Sequence, residues 1–500
     1  MKKYLIVLCL CFFCRSELYA QQGVSNIWLL GYDSDAGAPP GGINHFDFIS
    51  GSAVITYDSI GMEFRHTHAN ISDAQGNLLF YTNGVYIADA TNDTMQNGSG
   101  INPGAYSNFV PDGHLIPQGA LILKKPGTNN LYYIFHNSAD NYPFGIGSVA
   151  YQLSLSIVDL DLNGGLGSVI LKNYPIISDT LNCGKITATR HANGRDWWVV
   201  CHRVNTNTFY KLLVTPFGLP TVTSQTIGAI RQWDSGQAKF SSDGSKFAYY
   251  YYFNGLDIMD FDRCTGDFSN CVSDVTLPFH PGNVGCEFSP NSQFLYVSNV
   301  FKVYQYDVTS ANILASRMEV AVWDSFAQPG IPQLGAYLCL SQLAPDGKIY
   351  ITTGNGTTYM GRINNPDVAG LACDVAQHSV VLPAYYFNTL PNHPNFFLGK
   401  IPGSPCDTIT GVGIEEPEEL LLKLFPNPTT GEFTISFPVQ QGSGLLQMFD
   451  VVGNKVKEEV ISPWSQYKQI DITGLPDGIY FCKIKWDKIE GRVKVVKVLD

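Results

Sequence analysis

SSDGSKFAYYYYFNGLDIMDFD, residues 241–262, contains the pattern that decides the fold of this chain. A polar turn around Gly244 leads into an unbroken aromatic run, and a second turn at Gly255 leads into another apolar segment. Short apolar and aromatic runs between turn residues are typical of β-strands. The stretch therefore predicts neighbouring strands joined by tight turns.

The same arrangement recurs along the chain between residues 21 and 407. Its turns are centred on Gly76, Gly127, Gly194, Gly244, Ser292 and Gly347, which lie 51, 67, 50, 48 and 55 residues apart. Periods of about 40–50 residues with several strands each favour a β-propeller, whereas stacked immunoglobulin-like domains need about 100 residues per unit. We predict an all-β protein with a seven-bladed β-propeller, with six blades as the alternative. The unmarked segments IWLLGYD at Ile27 and HSVVLP at His378 are expected to pair in the closing blade.

A second strand pattern occupies residues 422–500. Phe433, Ile435 and Phe437 alternate with polar residues, and the same alternation runs from Tyr480 to Trp486 through Cys482. Period-two alternation predicts half-buried strands, and several of them in about 80 residues predict a small immunoglobulin-like β-sandwich. Cys482 falls on the apolar side of its strand, which predicts a buried thiol.

This region resembles the type A C-terminal sorting domain of the bacterial type IX secretion system. The resemblance rests on an ordered set of motif residues: Pro426, Asn427, Pro428, Asp450, Gly453, Gly478, Tyr480, Lys494 and Lys497. It implies the type IX secretion machinery as a partner, a Gram-negative bacterium of the Bacteroidetes type, and the outer cell surface or the medium as destination. It also implies removal of the tail, which we expect between about Asp407 and Leu422 because exposed linkers are cut first.

The first residues, MKKYLIVLCLCFFCRSELYA, have the features of a secretory signal peptide. Lys2 and Lys3 precede an apolar run, and Ala20 precedes the expected cleavage point. No later stretch approaches 18 uninterrupted apolar residues, so we expect no transmembrane segment in the mature chain. The predicted domains are the signal peptide (1–20), the propeller body (21–407), an acidic linker (408–421) and the sorting sandwich (422–500).

The body also resembles uncharacterised secreted propeller-like proteins of Bacteroidetes. The segments that carry this resemblance are NISDAQGNLLFYTNG, KITATRHANGRDWWVV, FDRCTGDFSN, QLAPDGKIYITT and PNHPNFFLGKIPGSPCDT. The resemblance implies fold and location and transfers no catalytic residue.

Charge and cysteine content limit the classes of partner. Residues 21–421 hold 18 Lys/Arg against 33 Asp/Glu, which disfavours nucleic acid and anionic membranes. Nine of the 12 cysteines remain after the signal peptide, in a compartment that permits disulfides. Cys264 is expected to pair with Cys271 across a hairpin, with Cys286 as the competing partner, and Cys373 with Cys406.

Several clusters of polar residues have the composition of a ligand or metal site. DLDLNGG, residues 159–165, opens like a calcium loop, but Ile170 stands where an EF-hand needs glutamate, so a hairpin turn is the main interpretation and calcium the alternative. His66 and His68, alternating on a predicted strand, could join His45 at a metal, against a hydrogen-bonded rim as the simpler account. The basic residues around an Asn193-Gly194 hairpin could instead bind a carboxylate or acidic sugar: Arg190, His191, Arg195, His202 and Arg203.

No nucleophile elbow, zinc-protease motif or phosphate loop occurs in the sequence. We therefore predict an exported binding or adhesion protein for a glycan or a protein ligand, without a cofactor. The alternatives are an extracellular hydrolase or lyase acting on polysaccharide, and a structural component of the surface layer.

Overall fold

The computed structural model describes residues 23–407, except 143–144, 233–234, 254 and 279–283, and residues 422–498, except 438–439, 441–443, 462–466 and 487–488. The predicted signal peptide and acidic linker lie outside the described residues. Strands dominate the described residues, which include one short α-helix, α1 (Ala105–Phe109). Short 3-10 segments lie at Gly23–Ser25, Ser34–Ala36, Asn163–Gly165, Leu314–Ser316 and Gly370–Cys373.

The first half of the body contains three antiparallel sheets in the described residues. Sheet I has the strand order β1 (Ile27–Tyr32), β2 (Gly42–Asp47) and β3 (Val54–Asp58). Sheet II has β4 (Ala69–Ser72), β5 (Leu78–Thr82) and β6 (Ile87–Asp89). Sheet III has β7 (Ala120–Lys124), β8 (Leu131–His136), β10 (Gly145–Asp159) and β11 (Ser168–Asn182), with β9 (Asp140–Tyr142) paired to β10.

Four four-stranded sheets follow, each with its strands in chain order. Sheet IV has β12 (Thr187–Arg190), β13 (Trp197–His202), β14 (Thr206–Val214) and β15 (Thr221–Arg231). Sheet V has β16 (Ala238–Phe240), β17 (Lys246–Tyr251), β18 (Gly255–Phe261) and β19 (Phe268–Asp274). Sheet VI has β20 (Gly285–Phe288), β21 (Phe294–Ser298), β22 (Lys302–Asp307) and β23 (Met318–Val322). Sheet VII has β24 (Ser341–Leu343), β25 (Ile349–Ile351), β26 (Thr357–Ile363) and β27 (Val375–Tyr386).

All six turns marked in the sequence occupy equivalent places. Each joins the first and second strands of its sheet, from Gly76 in sheet II to Gly347 in sheet VII. At Gly244 the backbone has φ 74°, and the Gly244 N–H donates to the Ser241 carbonyl. Ser292 takes the same left-handed conformation with φ 62°, a region that glycine enters without the steric cost other residues pay. The turns thus lie at equivalent ends of their sheets. The side of the body on which they lie is named here the turn face.

The aromatic run at 247–251 shows why these strands have no polar face. Phe247, Tyr249 and Tyr251 pack toward sheet IV, whereas Ala248 and Tyr250 pack toward sheet VI. Successive side chains of a strand point to opposite sides, so a strand between two sheets must be apolar at every position. These tyrosines are therefore packing residues between neighbouring sheets.

Packing between the sheets of the body is cyclic. Shared cores join I to II, II to III and IV, IV to V, V to VI, and VI to VII. The last core joins sheet VII to sheet I, where Trp28 meets Tyr350 edge-on at 5.6 Å. The prediction that the segments at Ile27 and His378 share a closing sheet is wrong, because β1 pairs with β2 and β27 with β26. Sheets VII and I instead close the ring by packing their faces together through large aromatic side chains.

The C-terminal residues form two further antiparallel sheets around a core of their own. Sheet VIII has the order β28 (Lys423–Phe425), β29 (Glu432–Ser436) and β32 (Tyr467–Asp471). Sheet IX has the order β31 (Lys455–Ile461), β30 (Gly444–Phe449), β33 (Gly478–Trp486) and β34 (Ile489–Lys497). The residues predicted from alternation fill the core, including Phe433, Ile435, Phe437 and the fully buried Cys482.

Candidate functional site

The centre of the ring is occupied by the chain itself. Residues 387–407, named here the axial segment, leave β27 and run through the space lined by the first strands of sheets II to VII. Near its start, Thr389 Oγ1 donates to the His66 carbonyl at 3.3 Å, and the Asn392 N–H donates to the His68 carbonyl at 3.0 Å. Further on, Asn395 Nδ2 donates to the Ser242 carbonyl at 2.6 Å, beside the Gly244 turn. The segment therefore passes from one face of the ring to the turn face.

Side-chain amides at the centre of the ring form hydrogen bonds with the surrounding backbone. Asn392 Nδ2 donates to the carbonyls of Ala120 and Ile186 at 2.9 and 2.8 Å, which joins the axial segment to sheets III and IV. Gln118 exchanges two hydrogen bonds with the Ala238 backbone at 2.8 and 2.9 Å. Each of these buried polar groups satisfies a backbone group that would otherwise lack a partner. The channel interior is a hydrogen-bonded core.

The far end of the axial segment is fixed covalently. Cys406 forms a disulfide with Cys264, in the turn between β18 and β19, and the two Cα atoms are 5.6 Å apart. The expected pairs of Cys264 with Cys271 and of Cys373 with Cys406 are therefore wrong, and Cys271, Cys286 and Cys373 are free thiols. Cys373 is buried in the core between sheets VI and VII, which keeps it away from Cys406.

A buried polar group lies at the turn-face end of the channel, and we call it the central cluster. Lys239 Nζ is 2.9 Å from Glu287 Oε2, with both side chains 6% exposed, and it also contacts Gln342 Oε1. Glu287 accepts the N–H groups of Phe288 and Leu343 at 3.0 and 3.1 Å. His393 of the axial segment closes the group, since its carbonyl accepts a long bond of 3.5 Å from Gln342 Nε2. Together with Thr189 and Asn395, these residues line a small polar pocket.

The sequence contains a signal for this cluster, although the cluster matches none of the motifs considered above. Thr189, Lys239, Glu287 and Gln342 each stand five residues before a marked turn, at Gly194, Gly244, Ser292 and Gly347. Equal offsets place the four side chains at the same level on successive first strands, around one point on the axis.

A separate open cleft lies between sheets I and II, just beyond the ends of β1 and β5. We call it the tyrosine cleft. It is lined by hydroxyl, amide, carboxylate and aromatic groups from Ser34, Asp35, Ser59, Glu63, Asn83, Tyr86 and Asp112. Tyr86 is half-buried in the wall, and burial, with Glu63 nearby, raises its pKa.

The charges of the cleft are partly balanced by one arginine. Arg65 Nε is 3.0 Å from Glu63 Oε2, and Arg65 Nη2 is 3.9 Å from Asp112 Oδ2. Glu63 Oε1 accepts the Asp33 N–H at 3.0 Å. Both oxygens of Glu63 are therefore engaged within the protein, whereas Asp112, with its side chain 60% exposed, faces solvent.

The five residues predicted as a basic ligand site lie at two ends of sheet IV. Arg190, His191 and Arg195 surround the β12–β13 turn, whereas His202 and Arg203 lie at the other end of β13. A strand of six residues at about 3.3 Å per residue separates the two groups by roughly 17 Å. The structure therefore does not bring them together.

Each of the five has a contact within the protein. Arg190 stacks on Trp197, 3.8 Å from the ring centroid, donates to the Phe396 carbonyl, and has its pKa lowered to about 10 by burial and by Arg263. His191 Nε2 donates to the Cys264 carbonyl at 3.0 Å. These two residues hold the axial segment and its disulfide in place. Arg195 pairs with Asp196, His202 packs on Phe209, and Arg203 pairs with Asp179.

The expected histidine pair does not lie on a strand, because β4 begins at Ala69. The His66 ring stacks on Phe387 with a centroid distance of 5.1 Å, and the His68 ring packs on Phe64 at 4.3 Å. His45, which is on β2, lies 3.6 Å from Asp58. In the described part of the chain, no group of three His, Cys, Asp or Glu side chains is placed to hold a metal ion. Residues 159–165 form the β10–β11 turn, in agreement with the hairpin interpretation.

Burial of histidines predicts a pH dependence of stability. Desolvation lowers the pKa of His136, His202 and His393 to about 3, and that of His66 and His114 to about 4. Below pH 6.5 the unfolded chain takes up protons that the folded chain does not, so stability is complete above that pH and falls as the pH drops toward 4. Each histidine contributes up to about 1.4 kcal/mol per pH unit.

Urea unfolding at pH 7.0, 6.0 and 5.0 measures this slope. We expect His202→Phe to reduce the slope by about one proton, since phenylalanine can keep the contacts with Phe209 and Tyr249. An unchanged slope in this variant would mean that His202 binds a proton as readily in the folded protein as in the unfolded chain.

The sorting-motif residues divide into two groups. Most of them hold loops of the C-terminal sandwich: Asn427 Nδ2 donates to the Lys494 carbonyl at 2.9 Å, Tyr480 Oη to Pro476 at 2.6 Å, and Lys497 Nζ to Leu475 at 2.6 Å. Asp450 Oδ1 accepts the Asn454 N–H at 2.9 Å around the turn at Gly453, and these bonds lower its pKa. The Lys494 side chain instead lies on the exposed side of β34.

Comparison with known proteins identifies the C-terminal region. Residues 423–498 match the model of the secretion system C-terminal sorting domain. No curated protein matches the chain. Among solved structures, a protein from Lactobacillus plantarum is 13% identical over 73% of this chain and 98% of its own, with a TM-score of 0.44. A candidate 6-phosphogluconolactonase from Bacteroides uniformis is 13% identical over 72% and 97%, with a TM-score of 0.42.

The sorting domain indicates export through the type IX secretion machinery to the cell surface or the extracellular space. Within the described ranges, the chain contains no helix of the length and apolar character that crossing a membrane requires.

Proposed function

We propose that this protein is an exported binding protein whose body, a seven-bladed β-propeller spanning residues 21–407, recognises a glycan in the tyrosine cleft. A linker (408–421) and an immunoglobulin-like sorting sandwich (422–500) complete the proposed domain organisation, behind a signal peptide at 1–20. The seven sheets with cyclic packing support the blade number.

The observation that carries the proposal is the contrast between the two concave regions. The ring centre, where a propeller would place a deep site, is filled by the axial segment and its hydrogen bonds. The tyrosine cleft is open and presents an aromatic ring beside carboxylates, hydroxyls and Arg65. An apolar ring face with a few placed polar groups is the combination that binds a small polar ligand with defined orientation.

A glycan array probed with the mature chain, with and without calcium, tests the proposal. We expect a specific hit, and at least a tenfold weaker affinity for Tyr86→Ala, equivalent to about 1.4 kcal/mol. The matched control is Tyr174→Ala, because Tyr174 is 40% exposed on β11. Absence of any glycan hit, or equal binding by Tyr86→Ala, would contradict glycan recognition in this cleft and favour a protein ligand.

A polysaccharide hydrolase is the second candidate, since three carboxylates line the same cleft. Hydrolysis of a glycosidic bond needs two such groups, one acid and one base or nucleophile. Glu63 is engaged on both oxygens, which leaves Asp35 and Asp112 for these roles. Release of reducing sugar from an array hit, abolished by Asp112→Asn while binding remains, would replace the binding proposal with an enzymatic one.

A further inference from the structure

Sheet IX buries only one of its two faces. Leu446, Met448, Cys482 and Ile484 point into the sandwich core, so the residues that alternate with them point outward. At the end nearest the Gly453 turn, four of the outward residues are apolar. They are Phe449, Ile479, Phe481 and Val496, and we call them the outer patch.

The outer patch is continuous across three strands. Phe449 on β30 stands opposite Phe481 on β33, and Phe481 stands opposite Lys494 on β34. Ile479 stands opposite Val496 one row further on. Directly opposed side chains on one face of a sheet have Cβ atoms about 5 Å apart, so these residues form one continuous surface.

Two of the four side chains are exposed to a degree that is unusual for their type. Ile479 is 41% and Phe481 45% exposed, and the adjoining turn adds Val451 at 68% and Val452 at 82%. Contiguous apolar surface on a soluble domain marks an interaction site or a risk of aggregation. A domain that must stay folded and soluble before delivery therefore gains from a partner that covers this surface.

The lysines of the C-terminal sheets divide into those with a carboxylate partner and those without one in the described residues, and Lys494 belongs to the second group together with Lys485. Lys455, Lys457, Lys468, Lys483 and Lys497 all have a carboxylate within 4.0 Å. Lys494 has no carboxylate partner in the described residues, and it faces the same side as Phe481. It is available to a carboxylate of another protein.

The position of the patch in the sequence identifies the kind of partner. Phe449, Val451 and Val452 come from the FDVVGNKV segment, and Ile479 comes from LPDGIY. Both segments lie inside the region matched by the sorting-domain model. Within them, Asp450 and Tyr480 hold the fold, so Ile479 and the valines are what these segments present to another molecule.

We propose that the outer patch is the surface by which the sorting domain docks on a protein component of the type IX secretion machinery. The partner surface is apolar and carries a carboxylate opposite Lys494. This inference rests on the sorting role of residues 423–498 and is independent of glycan binding by the body.

Export of the full chain in a bacterium with a type IX system tests the proposal. The readout is the fraction of chain on the surface or in the medium against the fraction in the periplasm, detected through an epitope in the body. We expect Ile479→Thr with Phe481→Thr to lower the exported fraction at least tenfold, with periplasmic accumulation. Threonine keeps the strand preference while it removes the apolar contact.

The matched control is Val460→Thr on β31. Val460 is 58% exposed and stands opposite Leu445 at the other end of sheet IX, so we expect normal export. Thermal melting of the purified variants checks that the sandwich remains folded. Wild-type export of the double variant would overturn the proposal.

Lys494→Glu gives a second test that leaves the core untouched. We expect it to reduce export at least fivefold, because two carboxylates would then face each other across the interface. If the Lys494→Glu variant were exported as well as wild type, the proposal that the partner surface carries a carboxylate opposite Lys494 would be wrong.

Discussion

Replacing Lys239 by Met is expected to lower the free energy of unfolding by about 3–5 kcal/mol. The reason is that Glu287 would remain buried and charged after losing the ammonium group 2.9 Å away. Both side chains are 6% exposed, so the carboxylate would be poorly solvated once its partner is missing. Urea unfolding of the mature chain, followed by tryptophan fluorescence, measures the change.

A double-mutant cycle separates the ion pair from the packing of the lysine side chain. Lys239→Met combined with Glu287→Gln should be more stable than Lys239→Met alone, since the uncompensated charge is gone. Gln can still accept one of the two N–H groups that Glu287 accepts, from Phe288 or from Leu343, because only one of its terminal atoms is an oxygen. A cost below about 1 kcal/mol for Lys239→Met would show that the cluster is hydrated in solution.

Cys406→Ser is expected to destabilise the body by about 2–5 kcal/mol. The disulfide joins residues 142 positions apart, and in the chain-entropy model a loop of this length contributes about 5 kcal/mol by restricting the unfolded chain. Loss of the bond also frees the end of the axial segment. The measurement is urea unfolding under oxidising conditions, compared with the same experiment in dithiothreitol.

The control for this variant is Cys271→Ser, since Cys271 is a half-exposed free thiol. We expect a change below about 1 kcal/mol, and equal stabilities of wild type and Cys406→Ser once the disulfide is reduced. If Cys271→Ser destabilised as much as Cys406→Ser, Cys271 would have to take part in a disulfide.

Local sequence patterns predicted the sheets of the body because their turns are local structures. The turn at Gly244, for example, is closed by a bond between residues three apart, and the strand after it is recognised by its aromatic run. The sandwich core followed from alternation in the same way, from Phe433 to Trp486. In both cases the residues that decide the structure are neighbours in the chain.

The axial segment could not be predicted by such reasoning. Asn392 binds the carbonyls of Ala120 and Ile186, which are 272 and 206 residues away. Its partners are backbone oxygens, which every residue possesses, so no residue type in the sequence points to them. The same difficulty affected Cys264, whose partner is far in sequence while Cys271 is near.

The basic residues around Asn193 illustrate a different limit. Their proximity in sequence suggested one site, but β13 carries His202 and Arg203 to the far end of sheet IV. Arg190 then serves the axial segment through the Phe396 carbonyl. The central cluster, in contrast, was accessible from the sequence through equal offsets from the turns.

The bond between Cys264 and Cys406 makes the chain between them a covalent macrocycle that contains all of sheets VI and VII. A protease that nicks any surface turn inside this macrocycle produces two chain ends but releases no fragment, because the cut chain stays joined through sulfur. The nicked protein would therefore keep its mass in non-reducing gels and divide only after reduction. For a protein exposed to extracellular proteases, a single cut inside the macrocycle therefore removes no part of the chain.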